Sequence, residues 1–154
     1  MIKVMFVCLG NICRSPMAEA VFQQMLVDEG LEEAIFVESS GTGRWHIGEP
    51  AHSGTRAVLA ANGIQYRGRG QQITRRDYED ANSYIVAMDD SNVENLQRLF
   101  GENARLSKLL DYAGTNDESN VPDPYYGGGF DYVYELVVDG CTGLLAMVRR
   151  EQGL

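Results

Sequence analysis

Two cysteines, an arginine and a serine lie close together near the start of the chain, in the segment VCLGNICRSP over residues 7–16. Cys8 and Arg14 stand at the two ends of one short loop, so a nucleophilic thiol faces a cation. A cysteine beside a cation at a helix N-terminus favours the thiolate form, which is the nucleophile in cysteine chemistry. The spacing therefore predicts a thiolate poised to attack an anionic substrate.

The loop between these two residues is suited to one tetrahedral anion. Backbone N–H groups of a loop that closes on a helix N-terminus can converge on a phosphate. Arg14 adds a planar guanidinium that can hold two phosphoryl oxygens, and the Ser15 hydroxyl can donate to the sulfur and improve it as a leaving group. Glycine and asparagine suit the turn, because both tolerate unusual backbone dihedrals. The predicted phosphate-binding residues are Leu9, Gly10, Asn11, Ile12, Cys13, Arg14 and Ser15.

The elements around the loop matter, because a C-x5-R spacing alone also arises by chance. Residues 2–8 are almost continuously apolar, which predicts a strand buried on both faces of a parallel sheet. Ser15 as N-cap and Pro16 as first helical residue predict a helix that ends at Gly30. The loop thus follows a buried strand and precedes a helix, which favours a functional role.

Strands and helices alternate through the rest of the chain. This alternation predicts a doubly wound α/β fold, which places ligands beyond the carboxyl ends of its strands. The further strands are predicted at 34–38, 84–88 and 105–110. The further helices are predicted at 54–61, from Thr74 with Asp77 as a capping box, from Ser91 with Glu94 to Gly101, and as a long amphipathic helix from Phe130.

Bulk properties exclude several classes of protein. The 154 residues suit one domain over 1–154, and the net charge of -9 without a basic stripe argues against nucleic acid and anionic membranes as partners. The first apolar run is too short for a signal peptide or membrane span, so we expect a cytoplasmic protein. Three cysteines, two of them in one loop, argue against a disulfide framework. His46 and His52 have no metal-ligand spacing, so no metal is predicted.

At these residues the sequence resembles the low-molecular-weight protein tyrosine phosphatases. CLGNICRSP is similar to the family's phosphate loop, DPYYG over 123–127 to its general-acid loop, and MDDSN over 88–92 to the segment after its third strand. The resemblance covers essentially the whole chain. It implies a flavodoxin-like, four-stranded parallel sheet with helices on both faces, the phosphotyrosine phosphatase I type. It also implies hydrolysis of phosphotyrosine and small aryl phosphates through a phosphocysteine, without metal or cofactor.

The resemblance assigns roles to individual residues. Cys8 would attack phosphorus, Arg14 would hold the oxygens, and Asp123 would protonate the departing phenolate and later accept a proton from water. Asp-Pro alone is also a common turn dipeptide. Asp89 would orient Arg14, or else be a solvated residue at a strand end. The resemblance further implies that Asn11 and Ser39 hold the loop and that Ile12, Trp45, Tyr125 and Tyr126 form the substrate cleft.

Two positions near the loop have more than one interpretation. Cys13 corresponds to a family cysteine that forms a reversible disulfide with the nucleophile Cys8 under peroxide, or it is a small buried packing residue. Gly68 stands where some members have a histidine that organises the loop, so this support is absent or comes from elsewhere. Cys141 is predicted to lie in the core.

Other functions for the same loop stay open. Arsenate reductases of this fold relay a disulfide through mid-chain cysteines, and this chain has none between Cys13 and Cys141. Protein-arginine phosphatases of this fold typically have threonine where this chain has Ile12. A non-catalytic phosphotyrosine-binding module, or an FMN carrier, is the alternative from another class. The expected partner is a phosphotyrosine-containing protein, such as a bacterial tyrosine kinase, and the expected assembly is a monomer or weak self-associate.

Overall fold

Four parallel strands form one sheet in the computed structural model, which describes residues 1–154. The strand order is β2-β1-β3-β4, so both outer strands are reached by crossover connections. The strands are β1 Ile2–Cys8, β2 Ile35–Gly41, β3 Ser83–Ala87 and β4 Leu106–Lys108. The helices are α1 Arg14–Asp28, α2 Ser53–Ala61, α3 Arg75–Glu79, α4 Asp90–Phe100, α5 Pro124–Gly127 and α6 Phe130–Gln152, with a 3₁₀ helix at Leu109–Tyr112.

Helices cover both faces of the sheet, which confirms the predicted fold class. Alternate residues of a strand point to opposite faces. Val4 and Phe6 belong to a large core cluster shared with α1, α2 and α6. Met5 and Val7 belong to a smaller cluster shared with α3 and α4. Burial on both faces explains the continuous apolar run of β1, and none of the helices combines the length and apolar character needed to cross a bilayer.

The carboxyl end of β1 reaches the same level as the end of its neighbour β2. Cys8 is in register with Gly41, so β2 continues past the predicted end at residue 38. A Cβ at Gly41 would lie 2.7 Å from the Leu9 carbonyl oxygen, which is too close for any side chain. This glycine therefore allows the loop after β1 to pack closely on β2.

Two further predicted element boundaries are wrong. α4 is capped by Asp89, whose carboxylate accepts from Asn92 N in a capping box, and not by Ser91 with Glu94. β4 is shorter than the predicted 105–110, because the chain turns into the 3₁₀ helix after Lys108 and buries Leu109 in the large core cluster. The capping box of Thr74 with Asp77 and the helix end before Gly101 are as predicted.

Candidate active site

The loop after β1 leads directly into α1. The helix begins at Arg14, and its N-cap is Cys13, whose side chain makes no capping hydrogen bond. The prediction of Ser15 as N-cap and Pro16 as first helical residue is therefore wrong. The Ser15 hydroxyl lies 3.0 Å from the Cys8 sulfur and is engaged there, rather than with the amides of the first helical turn.

The Cys8 sulfur lies at the base of this loop, almost fully buried. The backbone N–H of Asn11 donates to the sulfur at 3.2 Å, and the Ser15 hydroxyl oxygen lies 3.0 Å from the sulfur. Asn11 has a φ of 57°, in the left-handed region that asparagine tolerates. This turn aims its amide at the sulfur, and both polar groups in contact with the sulfur can stabilise negative charge.

The Asn11 side chain connects the loop to β2 and to the segment before α3. Its Nδ2 donates to Ser39 Oγ at 3.0 Å and to Ser15 Oγ at 2.8 Å. Its Oδ1 accepts from the backbone N–H of Gln71 at 2.9 Å. The structure thus brings Ser39 to Asn11. Gln71 makes this contact through its backbone N–H, so the amino-acid types in the sequence could not predict it.

Arg14 is held from two sides. Its Nη1 donates to Asp89 Oδ2 at 2.5 Å and to the Val121 carbonyl at 2.9 Å. Burial disfavours the cation, yet the Cys8 sulfur and the Asp89 carboxylate raise the pKa of Arg14 above its ordinary value, so the guanidinium stays charged. The alternative of Asp89 as a merely solvated residue is wrong, because its two oxygens contact Arg14 and cap α4.

Asp123 faces the same guanidinium from the other side of the loop. Its Oδ2 lies 3.6 Å from Arg14 Nη2, and its Oδ1 accepts from Tyr125 N at 3.1 Å. Asp123 therefore caps the short helix α5, in a segment for which the sequence predicted a loop. This helix fixes the positions of Tyr125 and Tyr126 relative to the carboxylate.

These residues surround one cavity of about 290 Å³. The sulfur and the guanidinium lie among its lining residues, and aromatic side chains form its rim. Trp45 has 68% of its surface exposed, so it is not a core residue. The cavity is lined by Cys8, Leu9, Gly10, Ile12, Cys13, Arg14, Trp45, His46, Asp123, Tyr125 and Tyr126. Ser15, Asn11, Ser39 and Asp89 stand behind this lining, and no group of three or more potential metal-ligating side chains is found.

Comparison with known proteins decides the family. The model of the low molecular weight phosphotyrosine protein phosphatase family matches residues 3–153. The chain belongs to this family. The low molecular weight protein-tyrosine-phosphatase YfkJ of Bacillus subtilis is 45% identical, with both chains covered completely, and PtpA of Staphylococcus epidermidis is 44% identical, covering 100% of this chain and 98% of PtpA. Membership confirms the predicted resemblance.

Solved structures of similar proteins confirm the fold. The crystal structure of YfkJ matches with a TM-score of 0.93, over 98% of this chain and 96% of that chain. The crystal structure of a Drosophila arginine phosphatase matches with a TM-score of 0.88 at 30% identity, over 96% of this chain and 98% of that chain. This fold therefore occurs both in proteins named protein-tyrosine-phosphatases and in one named an arginine phosphatase.

The other two cysteines of this family member differ from Cys8 in their surroundings. Burial, with Asp123 and Cys8 nearby, raises the pKa of Cys13 to about 12, and burial also raises the pKa of Cys141. Both are therefore thiols at neutral pH, and all three cysteines are free. Cys141 is a core residue, as predicted. A reversible disulfide between Cys8 and Cys13 stays a prediction.

Proposed function

We propose that the chain hydrolyses phosphotyrosine in proteins through a phosphocysteine on Cys8, without a metal ion. The observation that carries the proposal is that one cavity is lined by a buried sulfur, the Arg14 guanidinium and the Asp123 carboxyl group. A dianion bound by a cation and several N–H donors needs no further positive charge. Family membership supports the same reaction.

In the first step the Cys8 sulfur attacks phosphorus and the bond to the phenolic oxygen breaks. Arg14 has one nitrogen fixed by Asp89 and Val121, which leaves its other N–H groups available to bind the phosphoryl oxygens. Asp123 donates its proton to the departing phenolate. The products of this step are the free tyrosine and a phosphocysteine.

In the second step water attacks phosphorus and the sulfur leaves as thiolate. Asp123, now ionised, accepts a proton from this water. The Asn11 N–H and the Ser15 hydroxyl, both in contact with the sulfur, stabilise the thiolate as it leaves. Phosphate is released and the resting state of Cys8 is restored.

The shape of the cavity favours an aryl phosphate. Trp45 and Tyr125 stand at its rim, where an aromatic ring gains stacking that an aliphatic phosphoserine does not. Ile12 also lines the cavity, and its side chain is larger than the threonine typical of arginine phosphatases, which leaves less room for a branched phosphoarginine. We therefore expect the phosphorylated side chain to be tyrosine.

A panel of phosphopeptides tests this function. Phosphotyrosine, phosphoserine and phosphoarginine versions of one peptide are compared at equal concentration, with and without a metal chelator. We expect kcat/KM for phosphotyrosine to exceed the other two by about 100-fold or more, because a discrimination of a few kcal/mol is ordinary for a shaped cavity. Preference for phosphoarginine, or loss of activity in chelator, would contradict the assignment.

We further propose a cytoplasmic monomer, or weak self-associate, that acts on a bacterial tyrosine kinase or its products. A nucleophilic thiolate persists in a reducing compartment, and all three thiols of the chain are free. A phosphotyrosine substrate requires a kinase to form it. Analytical ultracentrifugation measures the assembly, and fractionation of cells measures the location.

A further inference from the structure

Glu19 is a half-buried carboxylate on α1 that the proposed reaction does not use. Its Oε1 accepts two hydroxyl hydrogens, from Ser39 at 2.6 Å and from Tyr66 at 3.0 Å. Burial raises the pKa of Glu19, and the two hydroxyl donors oppose this by stabilising the ionised form. The other charge facing it is Glu38, which raises the pKa further and is itself paired with Lys3 at 3.0 Å.

The hydrogen bonds that start at Glu19 have a fixed direction. Asn11 has its carbonyl oxygen occupied by Gln71 N–H, so its NH₂ group must be the one that faces Ser39 and Ser15. A hydroxyl has a single hydrogen. Because the Ser39 oxygen accepts from Asn11, the hydrogen of Ser39 is available for Glu19.

Ser15 lies at the other end of these hydrogen bonds, next to the sulfur. The Ser15 oxygen accepts from Asn11 at 2.8 Å, so its only hydrogen is directed elsewhere. The Cys8 sulfur lies at 3.0 Å, while the competing Ser40 carbonyl lies at 3.5 Å. The hydrogen of Ser15 therefore points to the sulfur.

We propose that Tyr66 and Glu19 are positioning residues for Cys8. The carboxylate takes the Ser39 hydrogen and so leaves the Ser39 oxygen to accept from Asn11, whose amide also holds Ser15 against the sulfur. The Tyr66 hydroxyl holds the carboxylate in place as the acceptor. The proposal rests on the proposed function in that Cys8 is the nucleophile. Tyr66 thus affects the reactivity of the Cys8 sulfur through other residues, without touching the substrate.

Gly68 provides the space that the Tyr66 hydroxyl occupies. A Cβ at position 68 would lie 2.2 Å from the Tyr66 hydroxyl oxygen and 2.5 Å from its Cζ. The backbone of Gly68 is not in the left-handed region, so alanine is compatible with its conformation. Gly68→Ala therefore displaces the hydroxyl without removing it.

Alkylation of Cys8 by iodoacetate, followed by mass spectrometry across a pH series, measures the effect on the sulfur directly. In Tyr66→Phe we expect the pH midpoint of alkylation to rise by roughly 0.5 pH unit, the size of one hydrogen bond's net effect. We expect kcat to fall about 3- to 10-fold with KM little changed, because loss of positioning acts on the reacting sulfur and not on substrate binding.

Tyr112→Phe is the matched control. Tyr112 is also half-buried and its hydroxyl donates to Ser107 at 2.8 Å, but neither residue lines the cavity. Its loss should lower thermal stability about as much as Tyr66→Phe and leave the alkylation midpoint unchanged. A folded Tyr66→Phe whose midpoint and kcat equal those of the wild type overturns the proposal.

Two further variants make the outcome decisive. Gly68→Ala should reproduce the shift of Tyr66→Phe, and the double variant should show no larger shift than either single one, whereas additive shifts contradict the proposal. Gly68→Ala alone decides the outcome if Tyr66→Phe does not fold, since an unchanged midpoint then overturns the proposal. Alkylation needs no turnover, so its result is independent of the phosphopeptide panel.

Discussion

Cys8→Ser is expected to abolish turnover of phosphotyrosine, with kcat lowered by about 10⁴-fold or more. A serine hydroxyl stays protonated at neutral pH unless a base takes its hydrogen. The groups in contact with this position are the Asn11 N–H and the Ser15 hydroxyl, and neither is a base. Steady-state assay of a phosphotyrosine peptide measures the loss, and calorimetry with inorganic phosphate should show that the loop still binds an anion.

Cys141→Ala is the control for Cys8→Ser. Cys141 is a fully buried residue of α6 and does not line the cavity. Its replacement should lower the thermal stability, as core changes do. Below the melting temperature, its activity should stay within about twofold of the wild type. Retention of more than a trace of activity in Cys8→Ser would show that another group attacks phosphorus.

Asp123→Asn is expected to lower kcat for phosphotyrosine by about 10²- to 10³-fold, within the range of general acid catalysis. Asparagine keeps an oxygen that can accept from Tyr125 N, so α5 should keep its cap. The aromatic residues of α5 should then keep their positions. The loss should shrink for aryl phosphates with acidic leaving groups, because these depart without protonation. A plot of log kcat against leaving-group pKa measures this dependence.

Asp131→Asn is the control for Asp123→Asn. Asp131 is an exposed acidic residue in the first turn of α6 and does not line the cavity. It should leave the leaving-group dependence unchanged. If Asp123→Asn showed the same leaving-group dependence as the wild type, Asp123 would not be the acid.

The sequence predicted those features that depend on neighbouring residues. Cys8 and Arg14 are separated by one loop, so their spacing alone brings them together, and the buried run before them identified β1. Asp123 and Asp89 lie far along the chain, and only the family resemblance placed them beside Arg14.

Other features depend on tertiary contacts that residue types do not reveal. Val121 holds Arg14 through its carbonyl group, and a main-chain group is the same at every position. Tyr66 meets Glu19 across 47 positions of sequence. Ser15 was predicted as a helix cap because a serine oxygen suits that role. In the folded chain its oxygen instead accepts from the Asn11 side-chain amide, and its hydroxyl contacts the Cys8 sulfur.

In the proposed mechanism the phosphoryl group is bound covalently to the Cys8 sulfur during each turnover. Acid quenching during turnover of a phosphotyrosine peptide, followed by digestion and mass spectrometry, detects such an adduct, because a thiophosphate ester formed faster than it is hydrolysed accumulates. We predict a phosphoryl group on the peptide that contains Cys8, assigned to that residue by fragmentation and absent from Cys8→Ser. Turnover without any phosphorylated cysteine, or with a phosphoryl group on Cys13 alone, would contradict this mechanism.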